Sequence, residues 1–510
     1  MALLPNSTIT LLPHQVNHFK HLSNILISNR GCLDLSNMGC GKTYTSCAIS
    51  HYYNLPVLVI CPLLAKTNWT TVTKEHNIQV IDIISYSSLR STTNHQPKHG
   101  LLERNAEGRL TFNATDKYIQ LIKTGLLLVI DEVQMIKNNT DQFKACMALT
   151  NAIHKYGGRS RFILLSATPF EKQESVINIL RIMSYIQHPR LYSYVKERRV
   201  LHLYGVKEFI DVCADIDRDK TKQILSESDM HPKNIIALCF KLYVSIINPK
   251  ISSSMPMLPS RADKKNRYCN MTPEESEQMT EAIKLMTQVT KYNHQNRDVD
   301  HRKINWTMFT HAHSKFEYAT LPLLVRLTIQ TLENVPGSKV ILFINYIEKT
   351  MPYLKTALSQ YKPLVLCGDK NRMNLSREET IKEFQEGSSR LLIANVRVGG
   401  VSLNLDDQVG NAPRYVFVVP NYSMTDLHQA TGRTDRCKTM SDTVIRFVYG
   451  KCGRIATNIL RALSMKTETL KQVLNEKEIL LIGDYEEEIE PDPHVETEDI
   501  EEIKQIELTR

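Results

Sequence analysis

The sequence predicts an α/β protein of two lobes, each a mostly parallel sheet flanked by helices, with a helical insertion between them. Three observations carry that reading. Short continuous apolar runs alternate with helical stretches in the first 170 residues and again after about residue 326, as expected for strands buried on both faces of a parallel sheet. Between these blocks the apolar residues recur at helical spacing. The runs of the first block stop abruptly at polar or small residues, at the carboxyl ends of strands, where open α/β sheets bind ligands.

The elements follow in order. Pro56–Cys61, Leu126–Ile130 and Arg161–Leu165 are the buried-strand runs of the first block, ending at Pro62, at Asp131-Glu132 and at Ser166-Ala167-Thr168. Helical spacing takes over in Ser175–Ile186 and Val206–Ile216. Thr272-Pro273-Glu274-Glu275 is a helix start: a hydroxyl at the N-cap, proline at the first helical position and acids in the first turn. Basic clusters interrupt this region at Lys196-Glu197-Arg198-Arg199 and from Arg261 to Arg267. Strands return at Lys339–Ile344, Pro363–Leu366, Arg390–Ala394, Tyr415–Val419 and Thr443–Val448, and a helix around Ile459 to Asn475 closes the fold. The expected domains are therefore 1–170 (first lobe), 171–325 (helical insertion with basic clusters), 326–485 (second lobe) and 486–510 (an acidic, disordered tail).

Bulk properties narrow the class. The 510 residues are 42% hydrophobic and 23% charged, with a formal net charge of +9. Asp484 to Arg510 hold 12 acidic and 2 basic residues, a net of −10, which leaves +19 on the rest of the chain. A basic body suits a polyanionic partner. Eleven cysteines occur without a Cys-x-x-Cys pair or zinc spacing, which points to reduced thiols in an intracellular compartment, nucleus or cytoplasm. No apolar run approaches the ~20 residues that span a bilayer, and the N-terminus lacks the pattern of a secretory signal, so no membrane partner is expected.

The chemistry concentrates at two places in the first block. Gly39-Cys40-Gly41-Lys42-Thr43 follows the apolar entry Cys32–Leu35 and precedes a helix, the context of a phosphate-binding loop. Glycines let backbone N–H groups wrap phosphates, and the helix N-terminus adds positive potential. Lys42 then contacts the β- and γ-phosphates and Thr43 ligates Mg²⁺. Ser36 stands where the full loop pattern has glycine. Asp131-Glu132, led in by five apolar residues, is the expected partner: Asp131 holds Mg²⁺, mainly through water, and Glu132 orients and deprotonates the attacking water.

With these motifs in series, the chain resembles superfamily 2 helicases over most of its length, and among them the Swi/Snf-type ATP-dependent DNA translocases, whose lobes are RecA-like. Leu12-Pro13-His14-Gln15 resembles their Q motif, with Gln15 as adenine reader. Ser36–Thr43 is similar to motif I, in which the first position is commonly not glycine; Met38, Gly39, Cys40, Gly41, Lys42 and Thr43 are the implied nucleotide contacts. Cys61–Trp69 resembles motif Ia and Ile84–Arg90 the next strand-end element. Asp131-Glu132-Val133-Gln134 stands at motif II, where the family usually has His in place of Gln134; Ile136-Lys137-Asn138 is family-like and Ser166-Ala167-Thr168-Pro169 resembles motif III. Leu258-Pro259 with Met271-Thr272-Pro273 is similar to the segment crossing into the second lobe. Ile341–Tyr346 resembles motif IV, Gly368-Asp369 with Arg377 and Phe384 the stretch after it, and Asn395–Leu405 motif V. Gln429-Ala430-Thr431-Gly432-Arg433-Thr434-Asp435-Arg436 resembles motif VI in its general superfamily form, whereas the Swi/Snf branch more often has Asp-Arg-Ala-His-Arg. Without a chromatin-reading module, the compact chain also resembles helicase-like NTPases of large DNA viruses, for which a virion association is a further expectation.

The resemblance implies ATP and Mg²⁺ in a cleft closed by the second lobe. Arg436, then Arg433, is the implied arginine finger and Gln429 a γ-phosphate or water contact; three residues apart, the arginines point the same way if they share one helix. Lys66, Asn68, Arg90 and Arg397 are the candidate nucleic-acid contacts. Trp69 and Trp306 could stack on bases, although a packed tryptophan is the better default. Double-stranded DNA is the favoured track, with transcription or repair proteins as partners. An RNA helicase or transcript-release factor is the alternative. A silent scaffold is disfavoured, because Lys42, Thr43, Asp131, Glu132, Gln429, Arg433 and Arg436 are all present.

Overall fold

The computed structural model describes residues 9–451, except 92–95, 106–109, 196, 257–260, 296–305, 370–371, 374, 400–403, 422 and 437–438, together with 2–3, 472 and 485–487. The chain forms two compact units that divide between Leu258 and Pro259. Each is an α/β lobe built on its own parallel sheet.

The first unit holds a six-stranded sheet in the order Ser252–Ser253, Gly31–Asp34, Arg161–Leu165, Leu127–Asp131, Val57–Cys61, Val80–Ser85, every neighbouring pair parallel. The inner strands read as continuous apolar runs because both faces are covered: Val57–Cys61 is buried throughout, whereas the edge strand Val80–Ser85 is exposed at alternate residues until its last two. On one face Leu22 and Leu26 of helix Pro13–Ser28, Ile49 of Lys42–Tyr53 and Trp69 of Lys66–Glu75 pack on Val57, Val59, Leu127, Val129 and Ile163. Each large apolar side chain so buried contributes about 1.5–3 kcal/mol. Thr115 and Thr140 accept from the N–H groups of Tyr118 and Phe143 and so start helices Asp116–Thr124 and Asp141–Tyr156.

Helices Val176–Ile182 and Gly205–Ile216 appear where helical spacing placed them. Pro232–Ile251 is a 20-residue helix apolar enough, by length and composition, to cross a membrane. It forms no continuous apolar run because Lys233, Lys241 and Lys250 interrupt its sequence. More than half of its most apolar window is buried inside the protein, with Leu238, Phe240, Leu242 and Ile247 in the core.

The second unit holds a seven-stranded sheet, again parallel throughout, in the order Leu364–Leu366, Leu391–Asn395, Lys339–Ile344, Arg414–Val418, Thr443–Gly450, Ala262–Cys269, Tyr485–Glu487. The strand Ala262–Cys269 is a finding the sequence concealed. Its residues read as a basic interruption, yet they pair in unbroken register with Thr443–Gly450. Ion pairing makes this tolerable: the Arg446 guanidinium lies 2.7 Å from Oδ2 of Asp263, and the Asn266 side chain is buried. Thr272 caps helix Pro273–Gln295 reciprocally, its hydroxyl accepting from the Glu275 N–H and its own N–H donating to the Glu275 carboxylate. Arg326 of helix Trp306–Asn334 then grips both oxygens of Glu275, at 2.7 and 2.9 Å. The helix expected around 459–475, and Leu258-Pro259, lie outside the described residues apart from residue 472.

Candidate nucleotide site

The strand Gly31–Asp34 delivers the chain to a loop that closes at Gly41, where helix Lys42–Tyr53 begins. Gly41 has φ of 92°, left-handed backbone that glycine adopts at no steric cost. A Cβ there would lie 2.2 Å from Nε2 of Gln15, so glycine also admits that amide. Gln15 is bonded at both ends: Oε1 accepts from the Leu12 N–H and Nε2 donates to the Cys40 carbonyl, each at 2.9 Å. The residue read as the adenine contact is thus tied to the backbone of the phosphate loop. Nζ of Lys42 donates to the carbonyls of Ser36 and Asn37, at 2.7 and 3.1 Å, which holds the ammonium at the same loop.

Ser36 has a structural task that glycine lacks. Its buried hydroxyl accepts from the Met255 N–H at 2.9 Å and lies 3.3 Å from Nε2 of His18. His18 in turn lies 3.1 Å from Oδ2 of Asp34 and 3.0 Å from the Ser253 hydroxyl. Burial pushes the Asp34 carboxyl up, but His18, Lys42 and Ser36 more than offset it and hold it below the ordinary carboxylate range. This buried network pins the 252–255 edge segment to the phosphate loop. Contacts spanning more than two hundred residues leave no local signal in the sequence.

Asp131 ends the Leu127–Asp131 strand. Its Oδ2 accepts from Nε1 of Trp69 at 2.8 Å, and its carbonyl accepts from the Tyr86 hydroxyl at 2.7 Å. Burial first, and then the neighbouring Glu132 charge, push Asp131 up to about 6, against the Trp69 bond and the Lys42 charge. Trp69 is wholly buried, so it packs beneath the site and has no face for a base; the Trp306 side chain lies outside the described residues.

Glu132 takes φ 59° and ψ 54°, an uncommon conformation for a residue with a side chain and one that costs roughly 1–3 kcal/mol. A chain of bonds orients its carboxylate. The Thr168 N–H donates to the Ser166 hydroxyl at 3.0 Å, that hydroxyl donates to Oε1 of Gln134 at 2.6 Å, and Nε2 of Gln134 donates to Glu132 at 2.5 Å. A neutral amide therefore joins motif II to motif III at the position where the resemblance expects histidine.

Two hard oxygen donors could hold a divalent metal: the carboxylate of Asp131 and the hydroxyl of Thr43, a partly buried residue in the first turn of its helix. Among the described residues no group of three or more His, Cys, Asp or Glu gathers to hold an ion by itself. Mg²⁺ suits such a site, since it takes one or two protein ligands and completes its shell with phosphates and water.

Lys66 and Asn68 lie in the first turn of the helix after strand Val57–Cys61, and Arg90 ends the short helix after Val80–Ser85. Two adjacent strand ends thus bring these three candidates to one edge of the sheet; Asn68 and Arg90 are exposed and Lys66 partly so. In the second unit Arg397 is well exposed, 3.6 Å from Asp426.

Gln429 sits on helix Met424–Thr431, which ends at Gly432. Arg433 and Arg436 therefore do not share a helix, contrary to the condition for their pointing the same way. At the helix end Gly432 is still right-handed, with φ −70°, and the Thr431 and Thr434 hydroxyls donate to the carbonyls of Leu427 and Thr431. Arg433 is buried, and its carbonyl accepts from the Leu405 N–H at 3.0 Å; the Arg436 guanidinium donates to the Asn404 side chain. Asp407, beyond Asn404, accepts from the N–H groups of Val409, Gly410 and Ala412 and from the Ser441 hydroxyl, which fastens the loop after motif V to the segment after motif VI.

Residues 321–438 match the helicase conserved C-terminal domain. The chain is 23% identical over 486 residues, 92% of its length and 85% of the relative's, to the protein of Acanthamoeba polyphaga mimivirus named "Putative ATP-dependent RNA helicase L364". It is 25% identical over 226 residues, 41% of its length and 20% of the relative's, to chromodomain-helicase-DNA-binding protein 1-like of Danio rerio. Among solved structures it is similar to the Sulfolobus solfataricus SWI2/SNF2 ATPase core in complex with dsDNA, with 18% identity, a TM-score of 0.33, and coverage of 93% of this chain and 99% of that one.

Proposed function

We propose that this chain, a helicase-family ATPase of the Swi/Snf-like type, couples ATP hydrolysis to movement along nucleic acid, with double-stranded DNA as its favoured track. The observation that carries the reading is the convergence, at the carboxyl edge of one parallel sheet, of the Gly39–Thr43 loop with Asp131 and the Gln134-oriented Glu132. Lys42 and the loop amides bind the phosphates, and Glu132 accepts the proton of the attacking water. Thr43 and Asp131 hold Mg²⁺, which neutralises charge on the β- and γ-phosphates when bound. Gln429, Arg433 and Arg436 are assigned to the γ-phosphate, so hydrolysis is coupled to lobe closure. Lys66, Asn68, Arg90 and Arg397 contact the polymer backbone, which gives little sequence preference.

The Swi/Snf-like motif order supports duplex DNA, and the relative named as DNA-binding supports DNA over RNA. The mimivirus relative, named as an RNA helicase and matching nearly the whole chain, supports RNA as the second reading. ATP turnover measured alone and with duplex DNA, single-stranded DNA or RNA decides between them. Stimulation by duplex DNA is expected, and stimulation by RNA alone overturns the favoured track. Glu132→Gln should reduce turnover by orders of magnitude; survival within a few-fold removes Glu132 as the base.

A further inference from the structure

The basic run from Lys196 to Arg199 is unused by the nucleotide chemistry. Its described residues, Glu197 to Arg199, lie at the end of an antiparallel ribbon in the first unit. Strand Tyr192–Val195 pairs with Val200–Leu203 in unbroken register, and the two form a sheet of their own. A lone two-stranded ribbon is marginal in water, so its anchors are informative, and they lie at its open end. The Tyr192 hydroxyl donates to the Pro232 carbonyl at 3.2 Å, the Tyr204 N–H donates to the Leu191 carbonyl at 3.0 Å, and the His188 ring stacks on Tyr204 with centroids 4.8 Å apart.

At the other end Glu197, Arg198, Arg199 and Val200 are exposed. Arg199 takes φ 51°, a left-handed turn position where glycine or asparagine is the cheap choice. Among the described residues, Arg198 and Arg199 make no ion pair. Over residues 190–207 the sequence holds Arg190, Lys196, Arg198, Arg199 and Lys207 against Glu197, a net of +4. Both ribbon faces reach solvent, with Tyr194 exposed on one and Val200 and His202 on the other.

We infer that this ribbon is a second nucleic-acid contact, its tip arginines engaging the phosphodiester backbone and Tyr194 flanking it. The inference rests on the chain being a nucleic-acid motor, and charge complementarity selects the partner. Unpaired guanidiniums at a rigidly based tip match the bidentate geometry of phosphate, and a two-stranded ribbon has the width of the B-DNA major groove. The competing role for the arginines is plain solubility of an exposed ribbon end.

The test uses the full chain and the double variant Arg198→Ala/Arg199→Ala. Binding to labelled DNA duplex, RNA duplex and each single strand is followed across a salt series, alongside melting and ATP turnover without polymer. Melting and polymer-free turnover should be unchanged, because neither arginine touches the core or the nucleotide loop. Affinity should fall by roughly 10-fold and the slope of log K against log salt should shrink by about 2, one phosphate for each arginine. The polymer most affected identifies the track. Arg198→Lys/Arg199→Lys should keep the slope. Wild-type binding with an unchanged slope in the alanine variant overturns the ribbon contact alone. Absence of wild-type binding to every polymer overturns both this contact and the nucleic-acid reading beneath it.

Discussion

Nε1 of Trp69 donates to Oδ2 of Asp131 across 2.8 Å, so a fully buried indole sets the direction of the carboxylate at the end of its strand. One carboxylate oxygen is committed to the protein, and the bond opposes the upward push that burial and Glu132 exert on Asp131.

Trp69→Phe keeps the ring and removes the donor. A hydrogen bond to a charged group is worth about 1.5–3 kcal/mol, so the affinity for ADP with Mg²⁺ should fall by roughly 10-fold or more while metal-free ADP binding changes little. Calorimetric titration checks this. The chain has two tryptophans, so a Trp306→Phe background makes Trp69 the sole indole reporter. Absence of any fluorescence response to Mg²⁺ with ADP would count against the coupling.

Ser166→Ala breaks the path from Thr168 through Gln134 to Glu132. Turnover should drop about 10-fold or more, since each 1.36 kcal/mol is a factor of ten, with nucleotide affinity held within a few-fold. Equal losses in affinity and turnover would show that Ser166 supports the loop generally and not the orientation of Glu132.

Ser36→Gly restores the commoner loop pattern and should nevertheless destabilise the first unit. It strands the Met255 N–H, which Ser36 accepts at 2.9 Å in a buried setting. Leaving such a donor unmet costs about 1–3 kcal/mol. Denaturant titration of the variant reads the loss, and unchanged stability would rule out the anchoring role.

Asp407 supplies the pH dependence. Burial raises its pKa, but the Ser441 hydroxyl and the N–H groups of Ala412, Val409 and Gly410 together bring it down to about 2. With an unfolded value near ~3.9, its stabilisation is complete above about pH 4 and is lost as pH falls toward 2. Asp407→Asn should be less stable near neutrality by roughly 1–3 kcal/mol and should lack that acid-side slope. Unfolding midpoints between neutral and acid pH in both proteins test the sign.

Local pattern carried much of this protein by itself. The strand runs near Val57, Leu127, Arg161, Lys339, Leu391 and Thr443 needed only apolar continuity, and Thr272-Pro273 announced its helix by capping chemistry. Gly41, Lys42, Asp131 and Glu132 stand out as site candidates from sequence because the glycine-rich loop and the strand-end carboxylate pair are each local, contiguous patterns. The charged strand Ala262–Cys269 is hidden because its apolar residues gather at its end, Tyr268 and Cys269, while the charged stretch before them is held by pairing with Thr443–Gly450 and by the Arg446–Asp263 pair. Tertiary structure alone decided that Gln15 braces Cys40, that Ser36 receives Met255, that Trp69 aims Asp131 and that the helix stops before Arg433. The physical reason is common to the first three. Each is a directional hydrogen bond between residues distant in the chain, and the residue types on either side constrain neither its existence nor its geometry until the sheet has brought them together.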